Sequence, residues 1–147
     1  MAAKTNAYRI DVLNVVRGTN ITAPAAVYQA AYTVLSSDGS SGGTEVSGNG
    51  YLRVSITLST ADSSGAAYNT TELAYPKATG TGWGEIVGTA LWSSSGTSGY
   101  CFVTDVMSTT VTINSSQQLR FSTGAYTYQE IGTSRDYQTV MLAELSG

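Results

Sequence analysis

The sequence predicts a mostly β protein, an antiparallel β-sandwich of jelly-roll type with a short N-terminal α-helix. Short segments alternate apolar and polar residues with the period of two that half-buried strands show. Eight or nine such segments recur at intervals of about ten residues, between loops rich in glycine, serine and threonine. Charged residues make up only 12% of the chain, about half of the usual quarter. The same composition is typical of a low-complexity linker, but the regular apolar alternation argues against disorder.

We predict a single domain over residues 1–147, since no fixed repeat and no long linker divides the chain. The net charge is −3, and the seven basic residues are scattered without forming a patch that would neutralise phosphates. No apolar run is long enough for a membrane span, and no hydrophobic signal segment follows Met1. We therefore expect no direct nucleic-acid binding and no membrane attachment. The single cysteine, Cys101, is expected to be a small buried hydrophobe.

The first predicted element is a helix over residues 6–17. Thr5 or Asn6 is suited to cap its start, and Gly18 stands just beyond its end. Apolar residues spaced as on one helix face form a stripe, with Leu13 beside it: Tyr8, Val12, Val15 and Val16. This helix either closes one end of the sandwich or reaches onto a neighbouring subunit.

Residues 25–35 are predicted to form a strand that is apolar on nearly both faces. A helix is the alternative for this segment, because Pro24 suits a helix start and alanines follow it. The polar loop over residues 36–43 then indicates a hairpin-like connection to the next segment.

Residues 42–58 are predicted to be the segment around which the fold is organised. Glycines and the turn signal Asn49-Gly50 shape its first half. Its second half alternates, so we expect a core strand with one face buried and polar side chains on the other. The predicted buried side chains are Leu52, Val54, Ile56 and Leu58, and the opposite face carries Arg53, Ser55 and Thr57.

Residues 86–106 are predicted to form a long-looped hairpin. Its first strand, 86–92, is interrupted by Gly88, where we expect a bulge. A glycine-rich turn cluster around Trp83 precedes it. Shorter alternating segments are predicted to complete the sandwich: 72–75, 110–113, 119–121, 126–128 and 140–145.

Catalytic and metal-binding patterns are hard to find in this chain. It has no histidine, which removes the commonest general base, the usual triads and most zinc sites. Calcium at Asp38 or Asp62 would need an alternating acidic pattern that neither loop has. No spacing selects a catalytic pair among the carboxylates Asp62, Glu72, Glu85 and Asp105. We predict no catalytic residues, no metal site, no cofactor and no enzymatic activity.

The chain does carry ten tyrosines and two tryptophans. Tyrosine surrounded by glycine and serine is favoured at binding surfaces, because it offers large contact area at low entropic cost. Most of these rings are alternatively core residues of the strands, and stacking on sugars is a third use. The residues predicted to form a protein interface are Tyr8, Tyr28, Tyr126 and Tyr128.

Residues 43–54 read Gly-Thr-Glu-Val-Ser-Gly-Asn-Gly-Tyr-Leu-Arg-Val. This string resembles a family of small tailed-bacteriophage virion proteins, often labelled tail fibre or structural proteins, with a Gly-Thr-Glu-Val-Ser-Gly-x-x-Tyr-x-Arg segment. The resemblance spans residues 6–125 and includes Tyr28, Asn69, the segment 74–79 and the Gly-Trp-Gly-Glu-Ile run at 82–86. It departs at residues 92–96, where this chain has Trp-Ser-Ser-Ser-Gly.

The resemblance implies a virion structural protein without enzymatic activity. It leaves two locations open. A capsid cement or decoration protein would bind the major capsid protein, whereas a tail fibre or baseplate component would contact the host receptor. Small size and the lack of coiled-coil heptads or a fibrous repeat favour cement on the capsid surface. We also expect other virion proteins as partners and a homo-oligomer. Two further hypotheses are a lectin-like binding module outside any virion and an unrecognised enzyme.

Overall fold

The computed structural model describes residues 3–20, 22–36, 43–96 and 98–129. Within these ranges the chain forms one helix and ten strands. Helix α1 spans Asn6–Val16. The strands are β1 Ala3–Lys4, β2 Val27–Val34, β3 Thr44–Glu45, β4 Val54–Ile56, β5 Ala66–Tyr68, β6 Leu73–Ala74, β7 Gly84–Trp92, β8 Cys101–Ile113, β9 Arg120–Phe121 and β10 Thr127–Gln129.

A six-stranded antiparallel sheet forms the larger layer, in the order β1-β8-β7-β2-β3. Strand β4 pairs with the first residues of β2, while β3 pairs with its last ones. Two antiparallel ribbons, β5–β10 and β6–β9, make up the rest. The predicted β-sandwich-like fold with one short helix is confirmed.

Hydrophobic clusters lie on both faces of the larger sheet. Two of them join its strands to the ribbons: Leu91 of β7 packs in the same cluster as Leu73 and Tyr128, and Ile86 packs with Tyr75 and Leu119. A third cluster uses the alternate residues of β2 and β7 with the start of β8, and comprises Ala30, Tyr32, Ala90, Trp92 and Cys101. Strands β2 and β7 are therefore buried on both sides, as the apolar pattern of 25–35 predicts.

Helix α1 begins and ends with side-chain and backbone caps. The Thr5 hydroxyl accepts the Tyr8 N–H, and it donates to the Cys101 and Phe102 carbonyl oxygens of β8. At the other end Gly18, at φ +78°, closes a Schellman motif with its N–H bonded to Val15 O at 2.9 Å. The helix was predicted over residues 6–17 and ends one residue earlier, at Val16; of the two candidate caps Thr5 is the one used, and Gly18 lies just beyond the end as predicted.

The predicted inner stripe of α1 is only partly correct. Tyr8 is buried, and Val12 and Val15 pack partly against the same cluster. Leu13 and Val16, in contrast, point to solvent. The reason is that only one side of the helix meets β8. No helix within the described ranges has the length and apolar character needed to cross a membrane.

The core strand at 52–58 is shorter than predicted. Only Val54–Ile56 is a strand, paired with β2. Ile56 and Leu58 are buried as expected and Val54 is half-buried, but Leu52 is 65% exposed. Residues before Val54 belong to a loop tied to another part of the chain, so the strand alternation does not extend to Leu52.

Strands β7 and β8 form the predicted hairpin and are the longest in the described chain. Ile86 pairs with Val111 and Gly88 with Val106, so β8 carries extra residues at 107–110 in a pronounced bulge. Strand β8 thus continues through 110–113 rather than ending at 106.

Three further predictions concern the strand over 25–35, its connection to β3 and the last strand of the chain. Strand β2 confirms the strand over 25–35, and the helix alternative is wrong. Pairing of Val34 with Thr44 confirms the hairpin-like connection. The predicted strand at 140–145 lies outside the described residues.

Candidate functional site

The glycine-rich string that carries the resemblance folds into the short strand β3 and the loop that follows it, and we call residues 43–53 together the motif loop. Gly48, Asn49 and Gly50 have φ angles of +70°, +49° and +78° in succession. Asparagine is, after glycine, the residue that best tolerates this region. The Tyr51 N–H closes the turn on Gly48 O at 2.9 Å.

Asn49 fastens the motif loop to the turn cluster at 79–84. Its carbonyl oxygen accepts the Thr79 N–H at 2.8 Å and the Trp83 indole N–H at 3.0 Å. Its side-chain amide donates to Gly82 O at 2.7 Å. The two glycine-rich segments, more than thirty residues apart in sequence, therefore form one structural unit.

Tyr51 joins this unit to the core. Its ring stacks near Tyr75, with centroids 6.1 Å apart, and meets the Trp83 ring edge-on at 5.4 Å. Its hydroxyl donates to Glu45 Oε1 and accepts the Ala31 N–H, both at 2.9 Å. Burial raises the pKa of Tyr51 well above its ordinary value, so the phenol stays neutral and keeps both hydrogen bonds.

Arg53 forms the second polar anchor of the motif loop. Its Nε and Nη2 donate to the two Glu45 carboxylate oxygens at 2.8 and 2.7 Å, and Nη1 donates to Ser94 O at 2.9 Å. The guanidinium also lies 3.9 Å from the centre of a Trp92 ring. Its side chain is only 5% exposed. Ser55 and Thr57 of the predicted polar face are exposed as expected, but Arg53 is covered by Trp92 and bonded to Ser94 O.

The pKa of Arg53 reflects these competing surroundings. Burial alone would lower it, but the hydrogen bonds and the negative charge of Glu45 outweigh that effect and leave it above its ordinary value. Arg53 is therefore a permanent cation in a bidentate pair.

A groove of about 410 Å³ runs beside the motif loop. It is lined by residues 45–48 and 51–53 of that loop and by Ser95 and Gly96 of the hairpin tip. Exposed Leu52 forms part of it. The inward-pointing side chains of Tyr51 and Arg53 both donate hydrogen bonds to Glu45. These groups therefore hold the shape of the surface loop.

The comparisons with known proteins bear on this motif. The family described as "Podophage GP4 fiber I protein gp80" has a model that matches residues 3–129. The chain belongs to this family. No curated protein matches it.

Membership of this phage fibre family makes the chain a structural protein of a tailed-phage virion, as the motif predicted. The match covers the motif loop, the turn cluster and the β7–β8 hairpin. It therefore includes every contact described above.

Of the four tyrosines predicted to face partners, three lie in the core of this family member. Tyr8, Tyr126 and Tyr128 are buried in one cluster with β2, β4, β7 and β8 residues. Only Tyr28 is partly exposed. The helical stripe that includes Tyr8 and the period of two that relates Tyr126 and Tyr128 do not distinguish a core ring from an interface ring, because both environments favour an apolar ring.

Two of the four candidate acids make local contacts to hydroxyl groups. The Asp62 carboxylate accepts the Ser64 N–H and hydroxyl and the Ala66 N–H, and these bonds lower its pKa. Glu85 accepts the Thr110 hydroxyl at 2.8 Å. Asp62 therefore caps the turn at residues 62–66. Asp38, the other residue considered for calcium, lies outside the described residues.

The other two acids differ in their surroundings. Glu72 pairs with Arg120 on the surface. Asp105 is half-buried beside a second cavity of about 290 Å³ near the β8 bulge, and burial raises its pKa. Among the described residues, no group of three or more Cys, Asp and Glu side chains is placed to hold a metal ion.

Two further residues of this region carry no sequence signal for their roles. Trp92 covers Arg53, and its indole N–H donates to the Tyr32 hydroxyl at 3.1 Å. Ser94 contributes only a backbone carbonyl to Arg53. A backbone contact made by a loop residue leaves no pattern in the sequence.

Proposed function

We propose that this chain is a component of the tail fibre of a short-tailed phage. The observation that carries the proposal is the family match over residues 3–129, since the family is described as a podophage fiber protein. The geometry supports a structural role, because the motif residues Asn49, Tyr51 and Arg53 hold the surface loops in one shape.

A capsid cement protein is the alternative favoured by the chain's size and lack of heptads. Small size and missing heptads are compatible with many virion proteins, whereas the family description names a fiber protein. We therefore place the fibre first and keep the cement role as the outcome that the test separates from it.

The test is the number and location of copies in purified virions. A fibre component is expected at a small multiple of the tail symmetry, and gold-labelled antibody should mark the tail. A cement protein would match the capsid lattice in number. Quantitative mass spectrometry against the major capsid protein measures the ratio.

Tail-less capsids from the same phage are the matched control. The fibre proposal expects them to lack the chain. Retention of the chain by these capsids, in lattice-like numbers, would transfer the assignment to the cement role.

A further inference from the structure

The turn of the motif loop contains the only Asn-Gly pair of the sequence, Asn49-Gly50. Both residues are exposed, so water reaches them. Asparagine followed by glycine is the pair at which a chain loses a side-chain amide most readily, because glycine has no Cβ to shield its backbone nitrogen. The amide at risk is the one that fastens the motif loop to the turn cluster.

The loss is a deamidation through a cyclic imide. A hydroxide ion removes the Gly50 N–H proton, and the nitrogen attacks Cγ of Asn49. The new C–N bond closes the imide ring, while the Cγ–Nδ2 bond breaks and the amide leaves as ammonia after taking a proton from water. Another water molecule hydrolyses the imide at either carbonyl carbon, which leaves aspartate or isoaspartate at position 49.

The backbone of the folded loop is turned away from ring closure. Asn49 has φ +49°, in the left-handed region where ψ is about +47°. At this ψ the Gly50 nitrogen lies opposite Cβ about the Cα–C bond, whereas the ring needs both on the same side. Rotation to that side swings the Asn49 carbonyl oxygen away from the Thr79 N–H and the Trp83 indole N–H, which it accepts at 2.8 and 3.0 Å.

The side chain of Asn49 is held by the same turn cluster. Its amide nitrogen donates to Gly82 O at 2.7 Å and to the Thr81 hydroxyl at 3.2 Å. Its Oδ1 lies against Gly80, where an added Cβ would be only 2.6 Å from it. Movement of Cγ onto the Gly50 nitrogen breaks both bonds, so the attachment of the loop opposes the reaction at backbone and side chain alike.

The product of the reaction no longer fits this attachment. A carboxylate at position 49 has no hydrogen to donate to Gly82 O, and its negative charge faces that carbonyl oxygen. Isoaspartate also lengthens the main chain by a methylene group beside the oxygen that Thr79 and Trp83 bind. The modified loop therefore does not return to its original contacts.

We propose that Asn49 is a deamidation site that reacts only when the motif loop separates from the turn cluster, and that the reaction then keeps the two apart. The rate of deamidation in the folded protein therefore depends on how often these segments separate. This inference does not depend on where the virion places the chain.

The first experiment follows deamidation of the full-length protein in mildly alkaline buffer, by peptide mapping with mass spectrometry. The rate at Asn49 is expected to be at least about tenfold higher in urea that unfolds the chain than in buffer alone, since the opposing hydrogen bonds are lost. Equal rates in the two conditions, or no reaction at Asn49 in urea, would overturn the proposal.

Trp83→Phe tests the attachment within the folded protein, because it removes the indole bond to Asn49 O and keeps an aromatic ring. It should raise the rate in buffer about three- to tenfold. Tyr100→Phe is the matched control, since it removes one hydrogen bond, to Asp11, in a different hydrophobic cluster. It should react like wild type, and a Trp83→Phe rate no higher than that of this control would contradict the proposal. Circular dichroism checks that both variants fold.

Asn49→Asp tests the effect of the product. Hydrogen exchange of the Thr79 N–H and the Trp83 indole N–H, measured by NMR, should be at least about threefold faster than in wild type, because the carboxylate no longer donates to Gly82 O. Unchanged exchange at both groups would show that deamidation leaves the segments joined, against the proposal.

Discussion

At the scale of single residues, two arginine–carboxylate pairs within the described ranges lie in very different surroundings. Arg53 and Glu45 form a bidentate pair under Trp92, with side chains 5% and 24% exposed. Arg120 and Glu72 pair on the surface, with side chains 56% and 46% exposed. A buried bidentate pair depends on the planar guanidinium far more than a solvated one does.

We expect Arg53→Lys to lower the free energy of unfolding by about 2–4 kcal/mol. Lysine keeps the charge but loses the second bond to Glu45, the bond to Ser94 O and the stacking on Trp92. Urea unfolding measures the loss. Arg120→Lys serves as the control and should cost less than about 1 kcal/mol. Equal losses in the two variants would contradict a special role for the buried pair.

Asn69 is a second residue whose polar groups are fully used inside the protein. Its amide donates to Thr71 O and Ser122 O at 2.8 and 2.9 Å, and its carbonyl oxygen accepts the Tyr126 N–H at 2.9 Å. The side chain is buried, so it ties the 69–71 turn to the 122–126 turn.

At the scale of elements, the interlocked motif loop and turn cluster depend on glycines for different reasons. Gly82 and Gly84 both have positive φ, +84° and +79°. A Cβ on Gly82 would lie 2.5 Å from Ile113 O, whereas a Cβ on Gly84 would meet nothing within 4 Å. Comparing the same substitution at the two positions therefore separates the cost of backbone strain, which both share, from the cost of steric crowding, which only Gly82 has.

We expect Gly84→Ala to cost about 1–2 kcal/mol, the strain of an alanine in the left-handed region. Gly82→Ala should cost clearly more, because strand β8 or the turn must also move. Thermal and urea unfolding of the two variants give the comparison. A loss at Gly82 no greater than at Gly84 would show that the close approach to Ile113 relaxes freely.

At the scale of the whole molecule, we expect the two-sided burial of the main sheet to make the stability of the protein fall in alkali. Cys101 and Tyr32 lie in the same cluster. Burial raises the pKa of the Cys101 thiol and of the Tyr32 phenol to about 12 each, from 9.0 and 10.0. These values already include the nearby Glu45 charge, which raises both pKa values, and Arg53, which lowers both.

The pH dependence follows from these directions. Above pH 9 the thiol ionises more readily in the unfolded chain than in the folded one, and above pH 10 the phenol does the same. The unfolded state then binds fewer protons, so stability falls as pH rises from 9 to 12. Each group contributes a slope of at most about 1.4 kcal/mol per pH unit.

Urea midpoints of wild type and Cys101→Ala between pH 7 and pH 12 test this expectation. The variant should lose less stability than wild type between pH 9 and pH 10, where the thiol contributes more to the pH dependence than the phenol does. Identical pH profiles would mean that Cys101 does not titrate on unfolding in this range.

The sequence by itself predicted the helix with its caps, strand β2 and the β7–β8 hairpin with a bulge near Gly88. These features depend on local signals: a capping residue, a period of two, or a glycine that breaks a strand. The string from Gly43 to Arg53 also indicated the phage virion family. Such signals act between neighbouring residues, so they can be read along the chain.

Only the tertiary structure decided which side chains the fold covers. Leu52 was expected inside and is exposed, because Asn49 ties the preceding loop to residues 79–84. Arg53 was expected on an open face and is covered by Trp92. The exposed side of α1 likewise follows from its single contact with β8. Burial depends on contacts between segments far apart in sequence. A period of two or of 3.6 shows that an element has two different faces, but it does not specify which distant segment covers each face.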